Sequence, residues 1–119
     1  MKIAVSSTGK DLDSPVEPRF GRAPYLIIVD TDTLEFEALD NSASMNAFKG
    51  AGIQAAAMIS RKGARVLLTG YCGPKAFEAL EAAKIKVANN VTGKVKEAVT
   101  AFNGGLISFS DRPNAEAHW

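Results

Sequence analysis

The sequence predicts an α/β fold, a single mixed sheet of five strands with about three helices packed on it. Three observations carry that reading. Residues 2–7, 25–29 and 34–38 show strand patterning before any helical period appears. From residue 51 onward, helical stripes alternate with short apolar runs. The residues between these segments are turn and cap formers, which gives the order β β β α β α β α.

The elements follow in turn. Ile3 and Val5 alternate with small or polar neighbours, as a strand over 2–7 requires. Tyr25-Leu26-Ile27-Ile28-Val29 is a continuous apolar run, the mark of a strand buried on both faces. Leu34, Phe36 and Ala38 alternate with Glu35 and Glu37, as in a strand with one wet face. Asp30-Thr31-Asp32-Thr33 supplies the turn that makes these two strands a hairpin. Residues 51–62 are nearly apolar all round and read as a buried helix with Ile53, Ala56 and Ala57 on its core face. Val66-Leu67-Leu68 is a short buried strand. Pro74 suits the first position of a second helix, whose core stripe is Ala76, Phe77, Leu80 and Ala83. Ile85 and Val87 mark the fifth strand. Thr92 is a good N-cap for a third helix with the stripe Val95, Ala98, Val99 and Phe102, stopped by Asn103-Gly104-Gly105.

Bulk properties narrow the function classes. The 119 residues make one domain over 1–107, with a loose tail over 108–119 where periodicity is lost. Fourteen Lys and Arg stand against 13 Asp and Glu, a net charge of +1 that argues against a general nucleic-acid binder. No apolar run approaches membrane-spanning length, and the start Met1-Lys2-Ile3-Ala4-Val5 turns polar too soon for a signal peptide. Cys72 is the single cysteine and cannot form an internal disulfide, so the expected location is a reducing cytoplasm.

Right-handed crossovers make the helix-linked strands parallel. The loops 8–22, 41–50, 70–74 and 89–93 then share one end of the sheet, beyond the carboxyl ends of its parallel strands, where open α/β sheets bind ligands. Lys10, Arg19, Arg22, Lys49, Lys75 and Lys94 fall there, with Asp11, Asp13, Glu17 and Asp40 among them. Gly50 and Gly52 open the first helix and Gly73 precedes the second, so two helix N-termini can form an anion cradle. Each glycine alone reads as a turn former; their convergence makes a binding face.

Other chemistries lack their residues. Thr8-Gly9-Lys10 and Thr92-Gly93-Lys94 are not Walker loops, because the earlier glycine and the following Ser or Thr are missing. His118, the single histidine, lies in the tail and leaves no Ser-His or Cys-His pair. The first strand carries no carboxylate for a nuclease metal pair. Asp30 and Asp32 read as turn formers, and Asp11 and Asp13 as solvated loop charges. Cys72 next to a helix N-terminus could present a lowered-pKa thiolate, or be a small buried side chain. Met45 is soft enough for Cu(I), or packs over the core. Phe20, Phe48 and Tyr71 either exclude water from a site or pack beneath loops.

Four segments, in order and with similar gaps, resemble the dinitrogenase iron–molybdenum cofactor-binding family. They are Met1-Lys2-Ile3-Ala4-Val5-Ser6, Arg19-Phe20-Gly21-Arg22-Ala23-Pro24-Tyr25, Gly50-Ala51-Gly52-Ile53-Gln54-Ala55-Ala56, and Thr69-Gly70 with Cys72-Gly73-Pro74-Lys75-Ala76-Phe77. The resemblance covers residues 1 to about 107. It implies a three-layer α/β/α ribonuclease-H-like fold and a carrier role without turnover. It implies a cargo of the molybdenum–copper sulfide type, with an iron–molybdenum cluster the lesser fit, and partners among ATPases. Arg19, Arg22, Gly50, Gly52, Gly70 and Gly73 match the family's pattern, and the expected cofactor-binding set adds Phe20, Gly21, Asn41, Lys49, Ala51, Tyr71, Cys72, Pro74 and Lys75 to them. Lys49 departs from the histidine of many relatives, and position 72 is variable among them, so electrostatic rather than coordinative binding is expected. A regulatory protein-interaction domain using the same face is the alternative, and a nuclease on such a sheet is the third reading.

Overall fold

The structure is a computed structural model that describes residues 1–47 and 49–114. Phe48, His118 and Trp119, singled out above, lie outside the described residues. Five strands form one sheet: β1 (Lys2–Ser7), β2 (Tyr25–Asp30), β3 (Phe36–Asp40), β4 (Val66–Leu68) and β5 (Lys86–Ala88). Their spatial order is β3-β2-β1-β4-β5. β1 pairs antiparallel with β2 and parallel with β4, so the central strand joins a hairpin half to a parallel half. β2 pairs antiparallel with β3, and β4 parallel with β5. The helices are α1 (Ser42–Met45), α2 (Ala51–Arg61), α3 (Pro74–Ala82) and α4 (Val95–Asn103). The three long ones match the expected helices. α1 is an extra single turn, started where the Asp40 carboxylate accepts the Ser42 N–H at 2.8 Å.

The period of two along each strand sends successive side chains to opposite faces. Ala4, Leu26, Ile28, Leu67 and Val87 pack with Ala55, Ala56 and Ile59 of α2 and Phe77 and Leu80 of α3. Ile3, Val5, Ile27, Val29 and Leu68 pack with Val95, Ala98 and Val99 of α4. The molecule therefore has three layers, as the resemblance implies. β2 is covered on both faces, which is why its sequence is uniformly apolar. Among the described residues no helix is long and apolar enough to cross a membrane.

Several local expectations are corrected. α2 buries Ala51, Ala55, Ala56 and Ile59, whereas Ala57 is exposed and Ile53 is 45% exposed. The alanines make α2 apolar on all sides, so its pattern does not single out a buried face. Leu34 is a turn residue with φ 64° rather than part of a strand, and Phe36 on the edge strand is exposed. Ala83 lies just past the end of α3 and is exposed. α4 is capped at Lys94 instead of Thr92, because Gly93 at φ 90° holds the chain out of the helix until Lys94. The Glu97 carboxylate accepts the Lys94 N–H there at 2.7 Å. Beyond Ile107 the chain returns to the sheet, where Ser110 bridges Val87 across the free edge of β5.

Leu67 is fully buried beneath α2 and α3. Leu67→Ala is expected to lower unfolding stability by about 2–5 kcal/mol, from lost apolar burial plus the cavity left behind. Urea unfolding of the two proteins measures it.

Candidate functional site

The carboxyl ends of β1 and β4 are tied together by hydroxyls. Ser6 Oγ donates to the Glu17 carbonyl at 2.7 Å and is 2.7 Å from Thr69 Oγ1. Because the serine proton is committed to Glu17, the threonine hydroxyl donates to Ser6. The two strands thus deliver the loops 17–23 and 69–73 side by side. Those loops continue the pairing: the Phe20 N–H donates to the Tyr71 carbonyl, and the Tyr71 N–H to the Pro18 carbonyl.

Glycines then let α2 and α3 close on this pair of loops. A Cβ on Gly21 would lie 2.6 Å from the Gly52 nitrogen, and one on Gly52 would lie 2.6 Å from the Ala76 Cβ. Neither distance is tolerable for a real side chain. The first turns of α2 and α3 consequently stand against each other and against the 19–22 loop. Between them opens a cleft of about 370 Å³, which falls in the range of roughly 300–1,000 Å³ usual for small-ligand sites. Arg19, Phe20, Gly21, Arg22, Lys49, Gly50, Ala51, Gly52, Tyr71, Cys72, Gly73 and Lys75 line it, together with Ile53 and Ala76.

The electrostatics of the cleft are one-sided. In α2 the first helical bond is from the Gln54 N–H to the Gly50 carbonyl, so the N–H groups of Ala51, Gly52 and Ile53 have no helical acceptor. In α3 the first such bond runs from Phe77 to Gly73, which leaves Lys75 and Ala76; Pro74 has no N–H. Neither helix carries an acidic residue in its first turn. α4 differs, since its own Glu97 occupies that place. The four cationic side chains of the lining are accompanied by no carboxylate among its described residues. The Arg19 side chain is half exposed and donates Nε to Glu17 Oε1 at 3.4 Å, which also accepts the Arg19 backbone N–H at 3.3 Å. Arg22 donates Nη1 to the carbonyls of Met45 and Ala47 at 2.8 and 2.9 Å, and so fixes the loop that leads into α2.

The remaining sequence-predicted residues act from behind or elsewhere. Asn41 is fully buried and donates Nδ2 to the Ala23 carbonyl at 2.8 Å, bracing the 21–23 turn without lining the cleft. Gly70 packs under Pro18, and Pro74 starts α3; neither lines the cleft. Lys10 lies over the Tyr25 ring at 5.7 Å, and Lys94 starts α4 on the other layer, so these two cations leave the expected set. Asp13 pairs with Lys96 at 2.7 Å, a hydrogen bond and charge that hold its carboxyl below the usual range. Asp30 accepts the N–H groups of Asp32 and Thr33, the turn role expected. Ile53 and Ala76 were expected to face the core. Their signal was their place in the first turn of a helix that begins with glycine.

Cys72 resolves to one of its two readings. It is 1% exposed, and burial pushes its thiol up to about 12, which outweighs the nearby helix N-terminus. Burial therefore favours the neutral thiol in the empty protein. Among the described residues no group of three or more His, Cys, Asp or Glu is gathered for a metal ion. A second depression of about 410 Å³ beside α4 has Glu97 as its one charged lining residue and offers no match for an anion.

Fold and site together place the chain among small α/β domains with a basic cleft at the carboxyl ends of their strands. The family model described as dinitrogenase iron-molybdenum cofactor matches residues 1–105, and the chain belongs to that family. It is similar to the orange protein of Desulfovibrio gigas, solved in its apo form, at 48% identity over 96% of each chain with a TM-score of 0.93. It is also similar to a putative NifB protein from Thermotoga, solved by NMR, at 37% identity over 91% of each chain with a TM-score of 0.79. A putative dinitrogenase from Methanocaldococcus jannaschii shares the fold at 18% identity and a TM-score of 0.70, over 95% of this chain and 97% of that one. No curated protein matches the chain in sequence.

Two outcomes test this geometry. Gly52→Ala forces the first turns of α2 and α3 apart and is expected to cost about 1–3 kcal/mol of stability, as overpacking does; thermal unfolding measures it. The Cys72 thiol should alkylate slowly, its rate still climbing with pH toward about 12, while the unfolded chain reacts faster and its rate levels off once its thiol has ionised near 9.0. Because the folded value is raised, the matching stability is whole below 9.0 and fades as pH climbs toward about 12.

Proposed function

We propose that this chain is a non-catalytic carrier of an anionic, molybdenum-containing metal–sulfide cluster of the molybdenum–copper type. The cluster is cargo, held in the cleft without bonds from protein to metal. The observation that carries the reading is the pair of adjoining helix N-termini. Both lack an acidic residue of their own, and both open on four cationic side chains. A metal–sulfide cluster is a compact polyanion with soft sulfur edges. Backbone N–H groups and guanidinium or ammonium groups can satisfy such edges. The exposed faces of Ile53 and Tyr71 at the same cleft suit the less polar parts of a sulfide surface. Membership of a family described by an iron–molybdenum cofactor, and likeness to the orange protein, support the class of cargo.

The donors present fit this mode and not a coordinative one. The Cys72 sulfur is buried, which favours its neutral thiol form, and Lys49 is a cation that neutralises charge rather than binding a metal. This also sets the iron–molybdenum cluster behind the molybdenum–copper one, since among the described residues of the cleft none offers an imidazole ligand or an exposed thiolate. The carrier works in a reducing cytoplasm under this reading, and ATPases remain its expected partners by family likeness.

The test is an absorbance titration of the purified protein with tetrathiomolybdate, with and without copper, followed by metal analysis after desalting. Visible bands and a fixed Mo:Cu ratio kept through desalting are expected. Arg19→Ala should weaken retention about tenfold, the loss of one charge-assisted contact, with thermal stability nearly unchanged because the Glu17 pair is exposed on the arginine side. Retention should also fall as salt is raised. Absence of retained metal, or retention indifferent to Arg19→Ala and salt, would discard the carrier reading in favour of an interaction domain.

A further inference from the structure

The wall of the cleft formed by Gly70–Gly73 has a weak side. Toward the 17–23 loop it is held by Tyr71, through its bonds with Pro18 and Phe20. Cys72, the next residue, is buried, and its N–H and carbonyl find no partner in the sheet or in α3. Both are met by one residue from 42 positions further along the chain. Asn114 Oδ1 accepts the Cys72 N–H at 2.9 Å, and the Asn114 N–H donates to the Cys72 carbonyl at 3.1 Å. The same side chain donates Nδ2 to the Gly70 carbonyl at 3.0 Å. A single asparagine thus closes three hydrogen bonds on a loop that supplies Tyr71, Cys72 and Gly73 to the cleft and carries the N-cap of α3.

We propose that Asn114 is a positioning residue for the cleft: it clasps the Gly70–Gly73 wall so that the N-terminus of α3 stays aimed at the bound anion. The inference rests on the carrier reading for its effect on cargo, though the clasp itself is a property of the empty protein. Asn114 does not line the cleft. It acts through Cys72, whose buried backbone groups would otherwise be left unsatisfied and would drive the loop outward toward water. The segment that brings Asn114 into place is itself anchored by Ser110, whose N–H donates to the Val87 carbonyl at 2.7 Å and whose hydroxyl accepts the Asn89 N–H at 3.2 Å. The chain after α4 therefore has a path from the edge of the sheet to the wall of the site.

Asn114→Ala removes the two side-chain bonds to the loop and a long one from Nδ2 to Asn90 Oδ1 at 3.5 Å, and keeps the backbone one. Asp111→Ala is the control; it lies in the same segment, is exposed, and its ion pair among the described residues is with the neighbouring Arg112. Amide hydrogen exchange in the empty protein is read first. In Asn114→Ala the Cys72 amide is expected to exchange at least about tenfold faster, with sheet amides unchanged, and the Cys72 thiol should become open to alkylation. Desalting after loading with tetrathiomolybdate and copper is read second. Release of molybdenum is expected to be several-fold faster from Asn114→Ala and unchanged in Asp111→Ala. Unchanged exchange at Cys72 would overturn the clasp. Faster exchange with unchanged release would overturn its role in positioning. If the unsubstituted chain holds no metal at all, the carrier reading and the positioning role fall together, while the exchange result still decides whether Asn114 holds the loop.

Discussion

Two helices of this fold begin at the same spot, and the rest of the site follows from that closeness. The first turns of α2 and α3 touch through Gly52 and Ala76, with Gly21 pressed against the same turn of α2. Parallel helix starts place partial positive charges side by side, which is unfavourable unless something negative is near. Here the layer beneath supplies the stabilisation. Ala55, Ala56, Ile59, Phe77 and Leu80 pack as one cluster on the sheet and fix both helices in place. The core sets the positions, and the uncompensated charge at the helix ends is the consequence. α4 begins alone on the opposite layer and neutralises its own end with Glu97.

Much of this was legible in the chain. The strands announce themselves because the two faces of the sheet are both covered, so β2 is apolar from Tyr25 to Val29 and β1 from Ile3 to Val5. The end of the sheet that carries the cleft follows from strand direction alone; parts of the loops 8–22, 41–50 and 70–74 placed there by topology meet in the cleft, and 89–93 does not. What the sequence hid depends on contacts far apart along the chain. In α2, alanines on every side erase the stripe that would tell Ile53 from a core residue. The thiol of Cys72 stands before a helix, which alone favours a thiolate; only the packing of Ala76, Phe77 and Phe20 around it shows that burial wins. Asn114 lies in a stretch without periodicity, and nothing local marks it as a partner of Cys72.

The loops around the cleft are braced by polar side chains aimed at backbone carbonyls. Arg22 fixes 45–47, Asn41 fixes 21–23, and the Ser6–Thr69 pair joins the ends of β1 and β4. Each brace satisfies carbonyl or hydroxyl groups that a loop cannot pair with itself. Together they hold the donors in place before a ligand arrives, so less ordering entropy is lost on binding. This also divides the basic residues into two kinds. Arg22 spends donors on the loop and shapes the cleft, whereas Arg19 is held by one partly exposed contact and keeps the rest of its fork available.

A site built this way has a consequence for how its cargo would leave. Metal ligands from the protein would make release depend on breaking coordination bonds or on protonating a ligand. Here the contacts on offer are N–H groups, guanidinium and ammonium charges, and the apolar faces of Ile53 and Tyr71. All of them weaken together when a wall of the cleft moves, because hydrogen bonds fail within a fraction of an ångström and over a few tens of degrees. The wall formed by Tyr71–Gly73 can move most readily at Cys72, whose backbone is held from the chain after α4 rather than by sheet or helix. A net charge near neutrality fits the same logic. Under the carrier reading, attraction confined to the cleft would retain a polyanion that has docked, and little long-range field would remain to recapture one that has been handed on.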